Sequence, residues 1–325
     1  MRKVIGIGET VLDIIFRDNH PVDAVPGGSA YNALVSLGRM GIPGMFVSET
    51  GADHVGEMIV SFLRSNGIDT SGVKMYKDTK SPLSLAFLNE RNDAEYVFYK
   101  DHPNDKLEMT LPEIAPDDIV LISSYYAVNP VIRPQMKRVL DHARQSGAII
   151  YYDVNFRPSH RDEVEELLPN ILDNFAYADI VRGSDEDFQV MFSKGDARQV
   201  YQENIMPRCG TFIYTRGAQP TDIFTADGKC RTYNVPPIEG EIVSTIGAGD
   251  NFNAGFVYGL IREGITRDML HQGISDSQMQ HIVDYAMAFS GNCCRSVQNY
   301  INAESLVLSV ERIHYCHKVK EQTNL

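Results

Sequence analysis

The sequence has no tryptophan and only five cysteines in 325 residues, namely Cys209, Cys230, Cys293, Cys294 and Cys316. An odd number without any CxxC spacing excludes a disulfide framework, so reduced thiols and a cytoplasmic setting are expected. Positive charge is scarce as well: 30 Lys and Arg face 43 Asp and Glu, for a net charge of −13 and a pI near 5.1. Such a field repels phosphate backbones and anionic lipid, which argues against nucleic acid and membrane surfaces as partners. No run of 18 uninterrupted apolar residues is present to span a bilayer. Internal repeats, low-complexity tracts and linkers rich in Pro, Gly or Ser are likewise missing. Two nucleotide signatures fail too. No GxxxxGK[ST] occurs, and Gly6-Ile7-Gly8-Glu9-Thr10-Val11 begins like a dinucleotide fingerprint but carries Val11 where a third glycine belongs. Both a P-loop NTPase and a hydride-transfer enzyme are therefore disfavoured.

What is present is the composition of a globular protein, 43% apolar and 22% charged, long enough to bury roughly three quarters of its unfolded surface. A single domain over residues 1–325 is expected. The opening run is interrupted by Glu9 and Asp13 and lacks a small-residue cleavage site, so it reads as a first strand rather than a signal peptide. Further strand candidates are Met45 to Thr50, Ile119 to Ser123, Ala148 to Val154, Asp179 to Arg182 and Thr211 to Thr215, after a first at Val4 to Gly8. Helical spacing links Ala30, Ala33, Leu34, Leu37 and Met40, and again Val55, Met58, Ile59, Phe62 and Leu63; Gly41 and Gly67 end these runs. Short β runs alternating with amphipathic helices predict an α/β fold around a mostly parallel sheet. Ile14 to Pro26 and Ser81 to Lys100 break the rhythm. The second reads as two strands joined by a polar turn containing Asn92 and Asp93, either an edge hairpin or a flap beside the main sheet. Ala303 to Lys318 reads as a closing helix, and His314, Cys316 and His317 as part of its surface rather than a metal site.

The strongest local signal is Ser244-Thr245-Ile246-Gly247-Ala248-Gly249-Asp250. Phe252, Phe256, Val257, Leu260 and Ile261 follow at helical spacing up to Gly264, so a helix is expected to start at about Asp250 behind a small-residue turn. Free N–H groups and the helix dipole make such a turn an anion site. A carboxylate at the same place stays ionised and is able to take a proton from a neighbouring hydroxyl. Taken alone, the segment is equally a capped helix behind a glycine turn. Near the N-terminus, Gly27-Gly28-Ser29-Ala30-Tyr31-Asn32 opens the first long helix with paired glycines, Asn32 lying on the polar side of its apolar stripe.

GGxxxN followed much later by TxGAGD resembles the double signature of the PfkB family, the ribokinase-like sugar kinases. Gly8-Glu9-Thr10 with Asp13, Gly51-Ala52-Asp53 with Gly56, Asp153-Val154-Asn155-Phe156-Arg157 and Thr215-Arg216-Gly217 extend the resemblance in the family's order over roughly residues 4–300. It implies a ribokinase-like three-layer sandwich with a mostly parallel central sheet and a small β lid, built from segments near residues 12–27 and 78–101. It further implies an ATP-dependent sugar kinase, nearest to the fructokinases, using ATP and Mg²⁺ and, as in several relatives, a monovalent cation such as K⁺. By that resemblance Asp250 is the catalytic base and the amides of Gly247, Ala248 and Gly249 form the anion hole. Asp13, Gly28, Asn32, Lys100 and Arg157 would contact the sugar; Thr215, Gly217, Thr245 and Gly249 the nucleotide; and Asp187 a metal. A homodimer through the lid is implied as well. Kinases for 2-keto-3-deoxygluconate, ribose or a nucleoside stay open, as does a non-catalytic sugar or nucleotide sensor. Departures from the pattern are Ser244 where an Asp is usual, Ser184-Asp185-Glu186-Asp187 in place of NxxE, Pro220 for a glycine, and Asn299-Tyr300 where a Gly-Ala pair near the adenine is common.

Overall fold

The computed structural model describes residues 2–89, 94–99, 110–238, 240–307, 309–311 and 313. Lys100, the turn residues Asn92 and Asp93, and the His314, Cys316, His317 group lie outside the described residues. In chain order the elements are β1 (Val4–Ile7), β2 (Val11–Arg17), β3 (His20–Gly27), α1 (Ser29–Arg39), β4 (Gly44–Gly51), α2 (His54–Ser65), β5 (Ile68–Tyr76), β6 (Leu83–Leu88), β7 (Ala94–Tyr99), β8 (Ile119–Ser123), α3 (Arg133–Gln145), β9 (Ile149–Asp153), α4 (Val164–Tyr177), β10 (Ile180–Ser184), α5 (Asp185–Phe192), α6 (Ala197–Val200), β11 (Thr211–Arg216), β12 (Gln219–Phe224), β13 (Cys230–Tyr233), α7 (Ala248–Arg262), α8 (Arg267–Gln272) and α9 (Asp276–Cys293). They fall into two compact units, one of residues 1–9, 103–235 and 265–274, the other of residues 10–102, 236–264 and 275–325.

In the first unit, β1, β8, β9, β10 and β11 run parallel, and β12 and β13 continue the sheet antiparallel. Every residue of β1, β8 and β9 is buried. That is the signature of strands covered on both faces and explains why they read as continuous apolar runs instead of alternating ones. Helices α3 and α4 pack on β9, and α5 on β10 and β11. The polar end of β9 is closed by charge: Asp153, fully buried, accepts from Arg182 Nη1 at 3.0 Å, and Arg182 Nη2 donates to Thr215 Oγ1 at 2.8 Å. Burial lowers the affinity of Arg182 for its proton, but Asp153 and Asp187 outweigh burial and raise it, so the guanidinium stays charged.

The second unit holds the parallel pair β4 and β5 and a separate four-stranded sheet in the order β3-β2-β6-β7. Local antiparallel pairing joins β2 to β3 and β6 to β7, as the hairpin pattern of residues 81–100 predicts, while β2 and β6 lie parallel and bring Asp13 opposite Ser84. Phe16 and Phe87 meet in the same register, their rings stacked with centroids 4.9 Å apart.

Helix α7 packs on α1 and α9. Its contact with α9 is close because Gly255 and Gly259, one turn apart, leave no room for side chains: a Cβ at 255 would lie 2.5 Å from the Tyr285 carbonyl oxygen, and one at 259 would lie 2.8 Å from Ile282 Cα. The start of α7 is two residues earlier than the sequence pattern suggests. Gly247, in the left-handed region at φ +75°, is its N-cap, which makes Asp250 the third helical residue. Helix α1 also departs from the amphipathic picture: Ala30 through Leu37 are buried without interruption, Asn32 and Ser36 included.

Candidate active site

Two polar side chains buried one turn apart on α1 define the site in the second unit. Positions i and i+4 share a helix face, and that face of α1 meets the first turn of α7. Asn32 Nδ2 donates to Asp250 Oδ2 at 2.8 Å, and Ser36 Oγ donates to Asn251 Oδ1 at 2.5 Å. Asp250 is only 8% exposed and Asn32 4%, so Asn32 is a partner of the carboxylate and not the exposed helix residue its place on the polar stripe suggests.

The first turn of α7 has no side-chain cap: Gly247 is its N-cap, as Gly28 is that of α1, whereas α2, α5, α6, α8 and α9 are each capped by a side chain. The Ala248 N–H turns back to the Thr245 carbonyl at 3.2 Å, a bond that removes it from the predicted trio of donors; Gly249 has no acceptor among the described residues. Ser244, buried, accepts from the Ile246 N–H at 3.1 Å and so shapes the turn, while Thr245 is exposed beside it. Asn251 braces the turn from below: its Nδ2 donates to Gly247 O at 2.8 Å and to Asn299 O at 2.9 Å.

Asp13 is held on the neighbouring sheet. Ser84 Oγ donates to its Oδ1, and Asn299 Nδ2 donates to its Oδ2 at 2.8 Å. A Cβ on Gly27 would stand 2.6 Å from that Oδ2, which is why a glycine precedes Gly28. Gly28 itself, at φ 127°, occupies a conformation open to glycine and caps α1 with no side chain of its own. Among the described residues, buried Asn32 Oδ1 and Asn299 Oδ1 have no hydrogen-bond partner. Since buried polar atoms are nearly always paired, two such oxygens beside two carboxylates mark a place for ligand donors. Burial drives the Tyr300 hydroxyl well above its ordinary range, with Tyr31 and Asp13 adding to the effect; it stays protonated and donates to Pro26 O.

The remaining candidates belong to the first unit. Thr215 is buried at the end of β11 under Arg182, and Gly217 follows in a turn at φ +54°. Asp153 pairs with Arg182 rather than Arg157, which is exposed. Asp187 accepts from the Phe156 N–H through Oδ1 at 2.7 Å and, through Oδ2, from the Ser184 N–H at 2.6 Å and the Ser184 hydroxyl at 2.8 Å. Burial raises its pKa against the pull of those bonds and of Arg182. Oδ2 therefore serves the capping box of α5 and Oδ1 the backbone of Phe156, so the carboxylate is already engaged by three donors. Among the described residues no group of three or more His, Cys, Asp or Glu stands ready to hold a metal, and no helix is long and apolar enough to cross a membrane.

Sequence reasoning missed Ser36, Ser84 and Asn251. Asn299 entered only as a departure near the adenine. Of these, Ser36 alone carried a local signal, its spacing of four from Asn32.

Known proteins resemble this chain in sequence and in fold. The sequence profile of the pfkB family carbohydrate kinases matches residues 1–290. The chain is 26% identical over 266 residues to the probable fructokinase-2 of Arabidopsis thaliana, covering 77% of this chain and 78% of that protein. It is 28% identical over 279 residues to the 5-dehydro-2-deoxygluconokinase of Geobacillus kaustophilus strain HTA426, covering 80% and 82%. Its fold superposes with a TM-score of 0.81 on a fructokinase double mutant from Vibrio cholerae O395 bound to fructose, ADP and potassium ion, at 18% identity and covering 95% of this chain and 98% of that one.

Proposed function

The chain belongs to the PfkB family of carbohydrate kinases, with its ribokinase-like α/β fold, and from that premise we propose that it transfers the γ-phosphoryl group of ATP to a hydroxyl of fructose or a related ketose or keto sugar. The observation that carries the proposal is Asp250, buried in the first turn of a helix with no side-chain cap and held by Asn32 of α1.

In this reading Asp250 takes the proton of the attacking hydroxyl as the bond to phosphorus forms, and Asn32 fixes the carboxylate's rotamer for that task. The Gly247 and Gly249 amides stabilise negative charge on the transferred group. Asp13, with Gly28 and Asn32, accepts from other hydroxyls of the sugar, and Lys100 and Arg157 are assigned to the same ligand. Thr215, Gly217 and Thr245 are assigned to the nucleotide. Mg²⁺ carried on the phosphates supplies charge neutralisation. A monovalent cation such as K⁺ would need carbonyl ligands from the turn, where Asn251 already braces Gly247 O and Asn299 O. The sheet β3-β2-β6-β7 serves as the lid that excludes water from the transfer. Its strand β7 exposes Val97, Phe98 and Tyr99, which supports pairing of two copies there. A reducing, cytoplasmic setting is assigned from the odd cysteine count without CxxC spacing.

The test is incubation of the full chain with ATP and Mg²⁺ against a panel of ketoses, keto sugars, ribose and nucleosides, reading ADP release and the phosphorylated product by mass spectrometry. Phosphorylation of a ketose or keto sugar is expected. Sugar or nucleotide binding without product across the whole panel would overturn the kinase in favour of a sensor.

A further inference from the structure

Asn299 has the geometry of a ligand contact. It is wholly buried, its NH₂ steadies Asp13, and its Oδ1 is left without a donor among the described residues. Asn32 repeats the arrangement beside Asp250. Each amide orients one carboxylate with its donor end and holds out a bare oxygen at the other. Leaving such an oxygen buried and unpaired is costly unless a ligand donor meets it. Acceptors alone, two carboxylates and two amide carbonyls, match a ligand that presents several hydroxyl donors.

The backbone at this position is fixed without help from the Asn299 side chain. Its carbonyl accepts from Asn251, the neighbouring Tyr300 hydroxyl donates to Pro26 O, Arg39 Nη1 donates to Ile301 O at 2.6 Å, and the Ile301 N–H donates to Ser36 Oγ at 3.3 Å. The side chain is thereby presented from a rigid seat, as a selective contact requires.

We propose that Asn299 determines specificity for the acceptor: its Oδ1 accepts from one hydroxyl of the sugar while its Nδ2 holds Asp13 in place for another. This rests on the sugar-kinase reading. An acceptor lacking the first hydroxyl leaves Oδ1 buried and unpaired, a loss on the order of 10- to 100-fold in kcat/KM.

The experiment compares wild type with Asn299→Ala, using the acceptor that the wild type phosphorylates best and each of its monodeoxy analogues. For Asn299→Ala, KM for the full acceptor should rise at least about tenfold while KM for ATP stays within about twofold. The wild type's discrimination against one monodeoxy analogue should collapse in the variant, since Ala holds out nothing to be left unpaired; a merely structural role would weaken all acceptors alike. Identical discrimination in the two proteins, or a parallel rise in KM for ATP, overturns the proposal. Should Asn299→Ala give no folded protein, Asn299→Asp takes its place, close in volume but unable to donate to Asp13; a raised acceptor KM is expected and a wild-type KM overturns the idea. A wild type inactive on every sugar sinks the kinase reading as well, whereas an active wild type with unaltered discrimination in the variant sinks this inference alone.

Discussion

Replacing Asp250 by Asn tests the proposed chemistry with little disturbance of the structure. The substitution keeps the shape of a buried side chain and retains an oxygen for Asn32 Nδ2, which now lies 2.8 Å from Oδ2. With that bond kept, the new NH₂ group faces where the second carboxylate oxygen stood, and a proton from the acceptor hydroxyl has nowhere to go. Loss of a general base costs about 10²- to 10⁴-fold in kcat, which at about 1.4 kcal/mol per decade is roughly 3–5 kcal/mol on the barrier. The donors assigned to the phosphates are backbone N–H groups of Gly247 and Gly249, which the substitution does not touch. Nucleotide affinity should therefore hold, or improve slightly as a negative charge leaves the turn. The assay is ADP release at saturating acceptor, paired with calorimetric titration of ATP into the variant. Turnover within about threefold of wild type would remove Asp250 from the role of base. A loss of ATP affinity that matches the loss of turnover would refute the reasoning differently, by showing that the substitution had broken the turn and not the proton transfer.

Two further outcomes follow from the turn and the caps. Gly247→Ala places a side chain at φ +75° with its Cβ 2.7 Å from the Asn299 carbonyl oxygen, so the turn must shift and carry the Gly249 donor with it; kcat should fall at least about tenfold, with a left-handed penalty of roughly 1–2 kcal/mol in urea unfolding, and unchanged turnover would show that these amides are not used. Asp53 caps α2 and binds the Ser81 hydroxyl and N–H; burial pushes its pKa up, but the Ser81 and Gly56 donors outweigh burial and leave it below the ordinary value. A lowered folded value means that its stabilisation is complete above the usual carboxylate range, near 4, and is lost as pH falls through the lower folded value. Asn caps as well as Asp but has one acceptor oxygen for the donors that now share two, so Asp53→Asn should cost about 1 kcal/mol at pH 7, and the gap from wild type in urea titrations should narrow below about pH 4; a gap independent of pH would refute the assignment.

The sequence made the framework legible where periodicity and turns are local. The runs that became β1, β8 and β9 stand out because strands buried on both faces are largely apolar, those of β4, β10 and β11 because they open on short apolar stretches, and Gly41 and Gly67 close α1 and α2 where the helical pattern stops. Strand β5 escaped notice because Ile68–Tyr76 alternates only at its start and is largely half-buried or exposed beyond it. The parallel pairing of β2 with β6 joins segments separated by β3, α1, β4, α2 and β5, and no local pattern encodes that. The same limit hid half of the site. Asp13 and Asn299 are 286 residues apart in the chain, so only the folded structure makes them neighbours.

Asn32 and Ser36 are different, because their signal lay within a single helix. A helix that buries polar side chains one turn apart must supply partners for both, since each unpaired group costs about 1–3 kcal/mol. Here the partners are the adjacent residues Asp250 and Asn251, one assigned to the reacting proton and the other bracing the glycine turn before α7. Glycine turns recur wherever a chain must bend, and Gly-rich segments alone leave a capped helix and an anion site indistinguishable. A buried polar pair at helical spacing is harder to account for without a function, because apolar residues at both positions would satisfy packing with no desolvation cost. In this chain the pair Asn32 and Ser36, more than the glycines before them, ties the N-terminal signature to the C-terminal one.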